Sequence, residues 1–143
     1  MPDEDAYALL VADVFQAAGE MRRHGEAIAQ QAEQTQARWQ VMSVISDGDW
    51  TVSDVARRLG VTRQGVQRIA DELVADGLGA YADNPRHRRS AFLRLTAKGE
   101  GALAKITAVA RRHNQKITKL FSSEELARTR ELLRRIIRVL ETT

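Results

Sequence analysis

Cysteine is absent from this chain of 143 residues, and proline occurs only twice. The lack of cysteine excludes disulfide bonds, thiolate zinc sites, cysteine nucleophiles and switching by thiol oxidation. No apolar run approaches the roughly 18 residues that a membrane-spanning helix needs. The start of the chain, Asp3-Glu4-Asp5, is acidic where a signal peptide is basic. We therefore expect a cytoplasmic protein with no membrane partner.

The motifs of common enzymes are also missing from the sequence. It has no Gly-rich phosphate loop, no nucleophile elbow and no HExxH motif, so we expect neither catalysis nor a cofactor. The three histidines, His24, His87 and His113, lack the spacing of a metal site on one helix. We interpret His113, on the apolar side of its predicted helix, as a core or interface residue. Metal ligands that converge from distant helices remain an open alternative.

The charged residues are distributed unevenly along the chain. The net charge is only +3, from 22 Lys+Arg against 19 Asp+Glu. Residues 1–34 sum to −5, whereas residues 51–98 sum to +4 and residues 99–143 to +5. An acidic start with a basic remainder favours a face that binds a polyanion, although most charge runs are simply solvated helix faces.

Apolar periodicity predicts a mainly α protein with a minor β component. Spacings near 3.6 residues predict helices over 5–33, 35–46, 97–120 and 123–141. Ser122 and Glu125 have the spacing of a capping box at the start of the last helix. Alternation with a period of two predicts short strands over 78–83 and 91–95.

The middle of the chain has the pattern of a helix–turn–helix. Thr51 is placed to cap a first short helix, with Asp54 completing a capping box. Gly60 suits the left-handed residue that ends this helix. Thr62 is placed to cap a second helix that runs to about Asp76. We expect Val61, between the two helices, to pack inward.

The second of these helices has two distinct faces when it is projected at 100° per residue. Its apolar face carries Val66, Ile69, Ala70 and Leu73. We predict that DNA is contacted by the polar face and the N-terminal end, which carry Thr62, Arg63, Gln64, Gln67 and Arg68. Glutamine pairs with adenine and arginine with guanine, so this distribution is typical of a helix that reads the major groove.

A basic loop, residues 84–90, connects the two predicted strands. It supplies a second set of predicted DNA contacts, Arg86, His87, Arg88 and Arg89. A hairpin directly after a recognition helix forms a wing, and arginine at its tip suits the negative potential of a narrow minor groove. Neither a short helix pair nor a basic loop is specific alone. The combination of helix, turn, helix, hairpin and basic tip in this order is specific for a DNA-binding helix–turn–helix with a wing.

With these motifs the sequence resembles the MarR family of winged helix–turn–helix transcriptional regulators. The residues that carry the resemblance are 50–68, 73–78, 84–90 and 93–99. The resemblance implies a single MarR-like domain, residues 1–143, with a winged helix–turn–helix DNA-binding lobe over 35–98. It also implies that residues 1–34 and 99–143 are dimerisation helices. Family members are homodimers that bind palindromic operators and usually repress.

Two further expectations come from comparing this chain with the family pattern. The family's wing carries an acidic residue two places before its minor-groove arginine, and here Arg89 is preceded at that place by His87. We therefore expect Asn84 and Pro85 to shape the tip. Many members release DNA when a small molecule binds between the dimer helices and the DNA-binding lobe. The candidates for that pocket are Met21, Trp39 and Met42, with core packing the favoured interpretation of the last two.

The terminal helices predict a homodimer independently of the resemblance. Their apolar stripes are longer than one lobe of about 50 residues can cover, and a second copy would cover them. Two-fold symmetry would present two recognition helices about 34 Å apart to double-stranded DNA with an inverted repeat. The alternative is an intramolecular bundle of 97–120 against 123–141.

These observations lead to one main hypothesis of function and two alternatives. The main hypothesis is a homodimeric, sequence-specific DNA-binding regulator, a repressor released by a small-molecule effector and associated with the nucleoid when bound to DNA. The first alternative is an architectural protein that binds DNA without sequence preference. The second is a helical protein–protein interaction module. The polar residues from Gln64 to Arg68 favour base readout over the first alternative, and the three arginines of the wing argue against the second.

Overall fold

The computed structural model describes residues 2–143, which form seven helices and one small antiparallel sheet. The helices are α1 (Asp3–Gln31), α2 (Gln36–Ile45), α3 (Val52–Leu59), α4 (Arg63–Ala75), α5 (Ala97–His113), α6 (Gln115–Leu120) and α7 (Ser123–Glu141). The strands are β1 (Trp50–Thr51), β2 (Gly79–Ala82) and β3 (Phe92–Leu95). The predicted fold class, mainly α with a winged helix–turn–helix, is confirmed.

The chain divides into two compact units, residues 1–110 and residues 111–143, with the boundary inside the last turn of α5. The first unit contains the helix–turn–helix and the hairpin. The second contains α6 and α7. The division into residues 35–98 for DNA binding and 1–34 and 99–143 for dimerisation concerns function, and it stays a prediction.

The core of the first unit is built from the apolar faces of five helices and the hairpin. Its largest fully buried side chains are Ile28, Val41, Met42, Val55, Val66, Leu73, Leu93 and Ile106. The apolar face predicted for α4 is confirmed, because Val66, Ala70 and Leu73 are all fully buried. The recognition helix is therefore held by its inner face, and its outer face is directed away from the core.

The sheet has the strand order β1-β3-β2 and attaches the hairpin to the helix–turn–helix. Tyr81 of β2 lies opposite Leu93 of β3, and Leu93 also lies opposite Trp50 of β1. Strand β1 was not predicted, since two residues are too few to show a period of two. Thr51 belongs to β1 and also caps α3, so the sheet and the first helix of the pair share a residue.

The predicted caps of α3 are confirmed by their geometry. The Thr51 hydroxyl accepts from the Asp54 backbone N–H, and the Asp54 carboxylate accepts from the Thr51 N–H, both at 3.1 Å. Gly60 has the left-handed backbone that ends the helix, with φ 68° and ψ 35°. The expectation for Val61 was wrong: its side chain is 53% exposed, because the turn after Gly60 directs it away from the core.

One predicted helix, 97–120, is divided into two. It ends at His113, and α6 begins at Gln115 after Asn114, whose ψ is −2°. No proline or glycine occurs at this point, so the apolar periodicity predicted one continuous helix. The interpretation of His113 as a core residue was wrong, because the side chain lies at the exposed end of α5. An interface role for it stays a prediction.

The second unit presents apolar side chains to solvent. Ser122 and Glu125 form the predicted capping box at the start of α7, with both hydrogen bonds at 3.0 Å. Helix α7 then has no buried residue over 19 positions. Leu126, Leu133, Ile137 and Leu140 are 37–57% exposed. Of the helices within residues 2–143, none combines the length and apolar character that crossing a membrane requires.

Candidate nucleic-acid interface

Thr62 begins the recognition helix α4 and orients its N-terminal end. Its hydroxyl accepts a hydrogen bond from the Gly65 backbone N–H at 3.0 Å. The remaining N–H groups of the first turn have no partner within a helix, and such groups suit a phosphate. Arg63, Gln64 and Arg68 are exposed on this helix, and Gln67 is half-buried. The predicted polar face is therefore available to a ligand.

Arg63 links the two helices of the helix–turn–helix at their N-terminal ends. Its Nε donates to the Ser53 hydroxyl in α3 at 3.2 Å, and the guanidinium remains exposed. At the other end of α4, Arg38 of α2 forms an ion pair with Asp76 at 2.8 Å. The Arg38 side chain is only 16% exposed, so this pair is partly shielded from solvent. Contacts at both ends thus fix the position of α4.

A hydrogen-bonded triad joins the recognition helix to strand β2. The Tyr81 hydroxyl donates to Asp71 Oδ1 at 2.8 Å and accepts from Gln67 Nε2 at 2.8 Å. The same Gln67 nitrogen lies 3.1 Å from Asp71 Oδ1. Partial burial, the hydrogen bond to Asp71 and the charge of Asp71 raise the pKa of Tyr81, so its hydroxyl stays protonated at neutral pH.

The sequence predicted Gln67 on the polar face of the recognition helix but did not predict Tyr81 as its partner. The signal was an aromatic hydroxyl in the strand that follows the recognition helix. The Tyr81 side chain is 42% exposed. Periodicity does not reveal which residues of two different elements meet.

Asn84 organises the wing loop, residues 84–90. It is the one buried polar residue within residues 2–143, at 6% exposure. Its Nδ2 donates to the Ser90 backbone oxygen at 3.0 Å, and its Oδ1 accepts from the Arg86 N–H at 3.2 Å. The expectation that Asn84 shapes the tip is confirmed. Arg86, His87, Arg88 and Arg89 all project from this loop as exposed side chains.

Two depressions show which predicted residues come together. A cleft of about 230 Å³ lies between α3, α4 and the wing, and its lining is Thr51, Val52, Ser53, Arg63, Gln67, Tyr81, Arg89, Ser90 and Ala91. It brings Arg63 and Gln67 of the recognition helix together with Arg89 of the wing. An open groove of about 560 Å³ follows the outer face of α4 and includes Gln64 and Arg68. Thr62, Arg86, His87 and Arg88 line neither.

The comparisons with known proteins match this arrangement. A family model described as the MarR family matches residues 35–90, which include the helix–turn–helix and the wing loop. The uncharacterized protein Rv2011c of Mycobacterium tuberculosis is 50% identical over 133 residues, 93% of each chain. The chain belongs to the MarR family. Because members of the MarR family are transcriptional regulators, membership supports the expectation that the protein is not an enzyme.

Solved structures show that the fold is also shared over the full length. The transcriptional regulator BldR from Sulfolobus solfataricus superposes with a TM-score of 0.78 at 18% identity, covering 100% of both chains. A mutant MarR from E. coli complexed with operator DNA superposes with a TM-score of 0.72 at 20% identity, covering 92% of this chain and 96% of that one. The chain therefore has the MarR-family fold beyond the matched segment.

The candidates for a MarR-type effector pocket lie in different environments. Met42 is fully buried in the core and offers no surface to a ligand, and Trp39 packs against that core. Core packing is therefore confirmed for both. Met21 is 71% exposed on α1. None of the three lines either depression beside the recognition helix. No group of three or more histidine, aspartate or glutamate side chains in residues 2–143 could hold a metal ion.

Proposed function

We propose that this MarR-family protein is a homodimeric, sequence-specific DNA-binding regulator that represses transcription from an inverted-repeat operator. The observation that carries the proposal is the cleft that joins Arg63 and Gln67 of α4 to Arg89 of the wing. One surface thus combines groups suited to base edges with groups suited to phosphates. Double-stranded DNA offers both, and binding to it would place the protein in the cytoplasm, at the nucleoid.

The outer face of α4 supports insertion into the major groove. Gln64 and Arg68 are exposed one helical turn apart on this face, beside the groove that follows the helix. Arginine forms bidentate contacts with guanine, and each good bidentate pair discriminates against a wrong base by about 1–3 kcal/mol. The buried inner face of the helix fixes its rotation, so the same side chains are always presented.

The wing supports binding at the flank of the same site. Its three arginines carry positive charge on a loop whose backbone is fixed by Asn84. Contacts to phosphates orient a protein on DNA without reading the sequence, and arginine in a narrow minor groove senses its width. Arg89 lines the same cleft as Arg63. Among the wing arginines it is therefore the one that shares a binding surface with the recognition helix.

Exposed apolar side chains support the homodimer. In α1 the exposed set is Tyr7, Leu9, Leu10, Val14, Phe15 and Met21, at 40–75%. Helices α6 and α7 expose Ile117, Leu120, Leu126, Leu132 and Val139 at 42–75%. Large apolar side chains exposed in such number on a helix usually mark an interaction site, and pairing of two copies would cover them.

The E. coli MarR structure with operator DNA supports DNA as the ligand, since it contains a protein of the same fold. Release by a small-molecule effector rests on the family resemblance. The absence of cysteine restricts any switch to a mechanism that does not use thiols. A screen of small molecules for release of the protein from DNA would test whether such an effector exists.

Selection of bound sequences from random duplex DNA tests the proposal. We expect enrichment of an inverted repeat whose half-sites are about one helical turn apart. Gln64→Ala should weaken the consensus, whereas Lys105→Ala, which removes an exposed charge from α5 outside the lobe, should not. Equal binding to all duplexes would favour an architectural protein. Failure to bind any duplex at about 50 mM salt would favour a protein–protein module.

A further inference from the structure

We infer that Tyr81 and Asp71 hold the Gln67 amide so that only its oxygen faces the DNA, and that Gln67 thereby selects an amino base, adenine or cytosine, at one operator position. The inference rests on the proposed function and deepens it. Tyr81 is a positioning residue in this account, because it acts on DNA through Gln67.

The chemistry of the three groups determines the direction of each bond. An ionised carboxylate only accepts, so both groups that contact Asp71 Oδ1 must donate to it. The Tyr81 hydroxyl has a single hydrogen and uses it for Asp71 at 2.8 Å. It can therefore only accept from Gln67, whose contacting atom at 2.8 Å must be the nitrogen. A flipped amide would direct its oxygen at the carboxylate and at a hydroxyl with no hydrogen to offer.

The nitrogen end of the Gln67 amide is consequently directed at Tyr81 and Asp71, inside the protein. Nε2 lies 2.8 Å from the Tyr81 oxygen and 3.1 Å from Asp71 Oδ1. The amide oxygen Oε1 remains as the group that can interact with a ligand in the cleft, which Gln67 lines together with Arg63 and Arg89. The structure thus presents Gln67 as an acceptor, and not as the donor–acceptor pair that a free glutamine provides.

This restriction changes which bases Gln67 can read. The bidentate pairing of glutamine with adenine needs an N–H for N7 and an oxygen for the N6 amino group. With its nitrogen directed at Tyr81 and Asp71, Gln67 presents its oxygen to the DNA. This oxygen accepts from an amino group, and in the major groove adenine N6 and cytosine N4 provide one. Guanine O6 and thymine O4 are acceptors and would face Oε1 without a hydrogen. The expected preference is adenine or cytosine over guanine or thymine.

Selection from random DNA with matched variants tests the inference. For the wild type we expect one half-site position at which adenine and cytosine are both enriched over guanine and thymine, to a similar extent. Tyr81→Phe removes one of the two groups that hold the Gln67 nitrogen, so an N–H becomes able to reach adenine N7. Adenine should then exceed cytosine there by about fivefold to tenfold, the effect of one hydrogen bond. Tyr7→Phe changes the only other tyrosine and should leave the preference unchanged. Gln67→Ala should abolish it in both backgrounds.

The results separate this inference from the proposed function. An enriched inverted repeat with the same base ratios in wild type and Tyr81→Phe would overturn the inference and leave the DNA-binding proposal intact. Absence of any enriched sequence would overturn both. A merely structural role of Tyr81 would weaken binding to all sequences equally, without a change at one position. In the protein without DNA, NMR should show the Gln67 side-chain amide protons shifting in Tyr81→Phe but not in Tyr7→Phe.

Discussion

The side-chain nitrogen of Asn84 lies 3.0 Å from the backbone oxygen of Ser90, so one buried amide closes the whole wing loop. The loop also contains two successive turns. The His87 backbone N–H donates to the Asn84 backbone oxygen, and the Ser90 N–H donates to the His87 backbone oxygen. Three arginines project from this short closed segment. Because like charges repel, a loop with this composition needs internal hydrogen bonds to keep one conformation.

Replacement of Asn84 tests the importance of this closure. Asn84→Ala leaves the Ser90 oxygen and the Arg86 N–H without their partner, which costs about 1–3 kcal/mol if they stay buried. We expect lower stability and weaker DNA binding, because the wing arginines lose their fixed positions. Chemical denaturation and a binding titration measure the two effects. Asn114→Ala is the control, since Asn114 makes no capping hydrogen bond to α6; an equal loss in both variants would contradict the account.

Arg68 and Arg89 should affect DNA binding in different ways. Arg68→Ala removes a side chain from the outer face of the recognition helix and should relax the preference at one base position. Arg89→Ala removes a wing charge and should weaken binding to all sequences similarly, with the slope of log K against log salt falling by about one. Titrations at several salt concentrations with the selected operator and a scrambled duplex measure both. Identical behaviour of the two variants would contradict the assignment of roles.

Gly99 lies at a contact between α5 and the hairpin that leaves no room for a side chain. A Cβ at this position would overlap the backbone oxygen of Leu78 and lie 3.1 Å from Leu95 Cδ2. We expect Gly99→Ala to reduce the free energy of unfolding by about 1–3 kcal/mol, because the backbone must move. Gly101→Ala in the same helix has no atom within 4 Å of its Cβ and should be neutral or stabilising. Thermal and urea unfolding distinguish the two.

The capping box at α3 should make stability depend on pH. The Thr51 backbone N–H, which donates to the Asp54 carboxylate, holds its pKa below the ordinary value, and the Thr51 hydroxyl and Arg57 add to this effect. Since the pKa is lower in the folded chain than in the unfolded chain, the stabilisation is present above the unfolded pKa. It is lost as the pH falls through the folded pKa.

Asp54→Ala should therefore reduce stability by about 0.5–2 kcal/mol at pH 7. The difference from the wild type should shrink as the pH falls below about 4, where the carboxylate becomes protonated even in the unfolded chain. Urea unfolding between pH 3 and pH 7 at constant protein concentration measures this. Thr51→Ser keeps a hydroxyl acceptor and should retain most of the stability. A difference between Asp54→Ala and wild type that stays constant with pH would contradict the explanation.

Local signals in the sequence predicted the helix starts and much of the recognition surface. Thr51 with Asp54, and Ser122 with Glu125, define helix starts through bonds between residues three positions apart. Gly60 marks a left-handed backbone that other residues adopt at a cost. Arg63, Gln64 and Arg68 were predicted because a helix with one apolar face must expose the opposite one.

The features that sequence reasoning missed depend on contacts between separate elements. Strand β1 has two residues and exists because Trp50 and Thr51 pair with β3. The helix is interrupted at Asn114 without a proline or glycine, so the apolar periodicity predicted one continuous helix. Tyr81 meets Asp71 at a distance of ten positions along the chain and from a different type of element. Such pairings follow from the packed fold and leave little trace in a local pattern.

The central claim is that two copies of this surface, related by the two-fold symmetry of a homodimer, read DNA sequence together. Selection from random duplex DNA, followed by sequencing of the bound fraction, tests it most directly. The account predicts an inverted repeat with half-site centres about 10 base pairs apart, lost when Arg63, Gln64 and Arg68 are together replaced by alanine. A bound fraction with the same composition as the starting pool, or enrichment of a single unrepeated half-site, would contradict it.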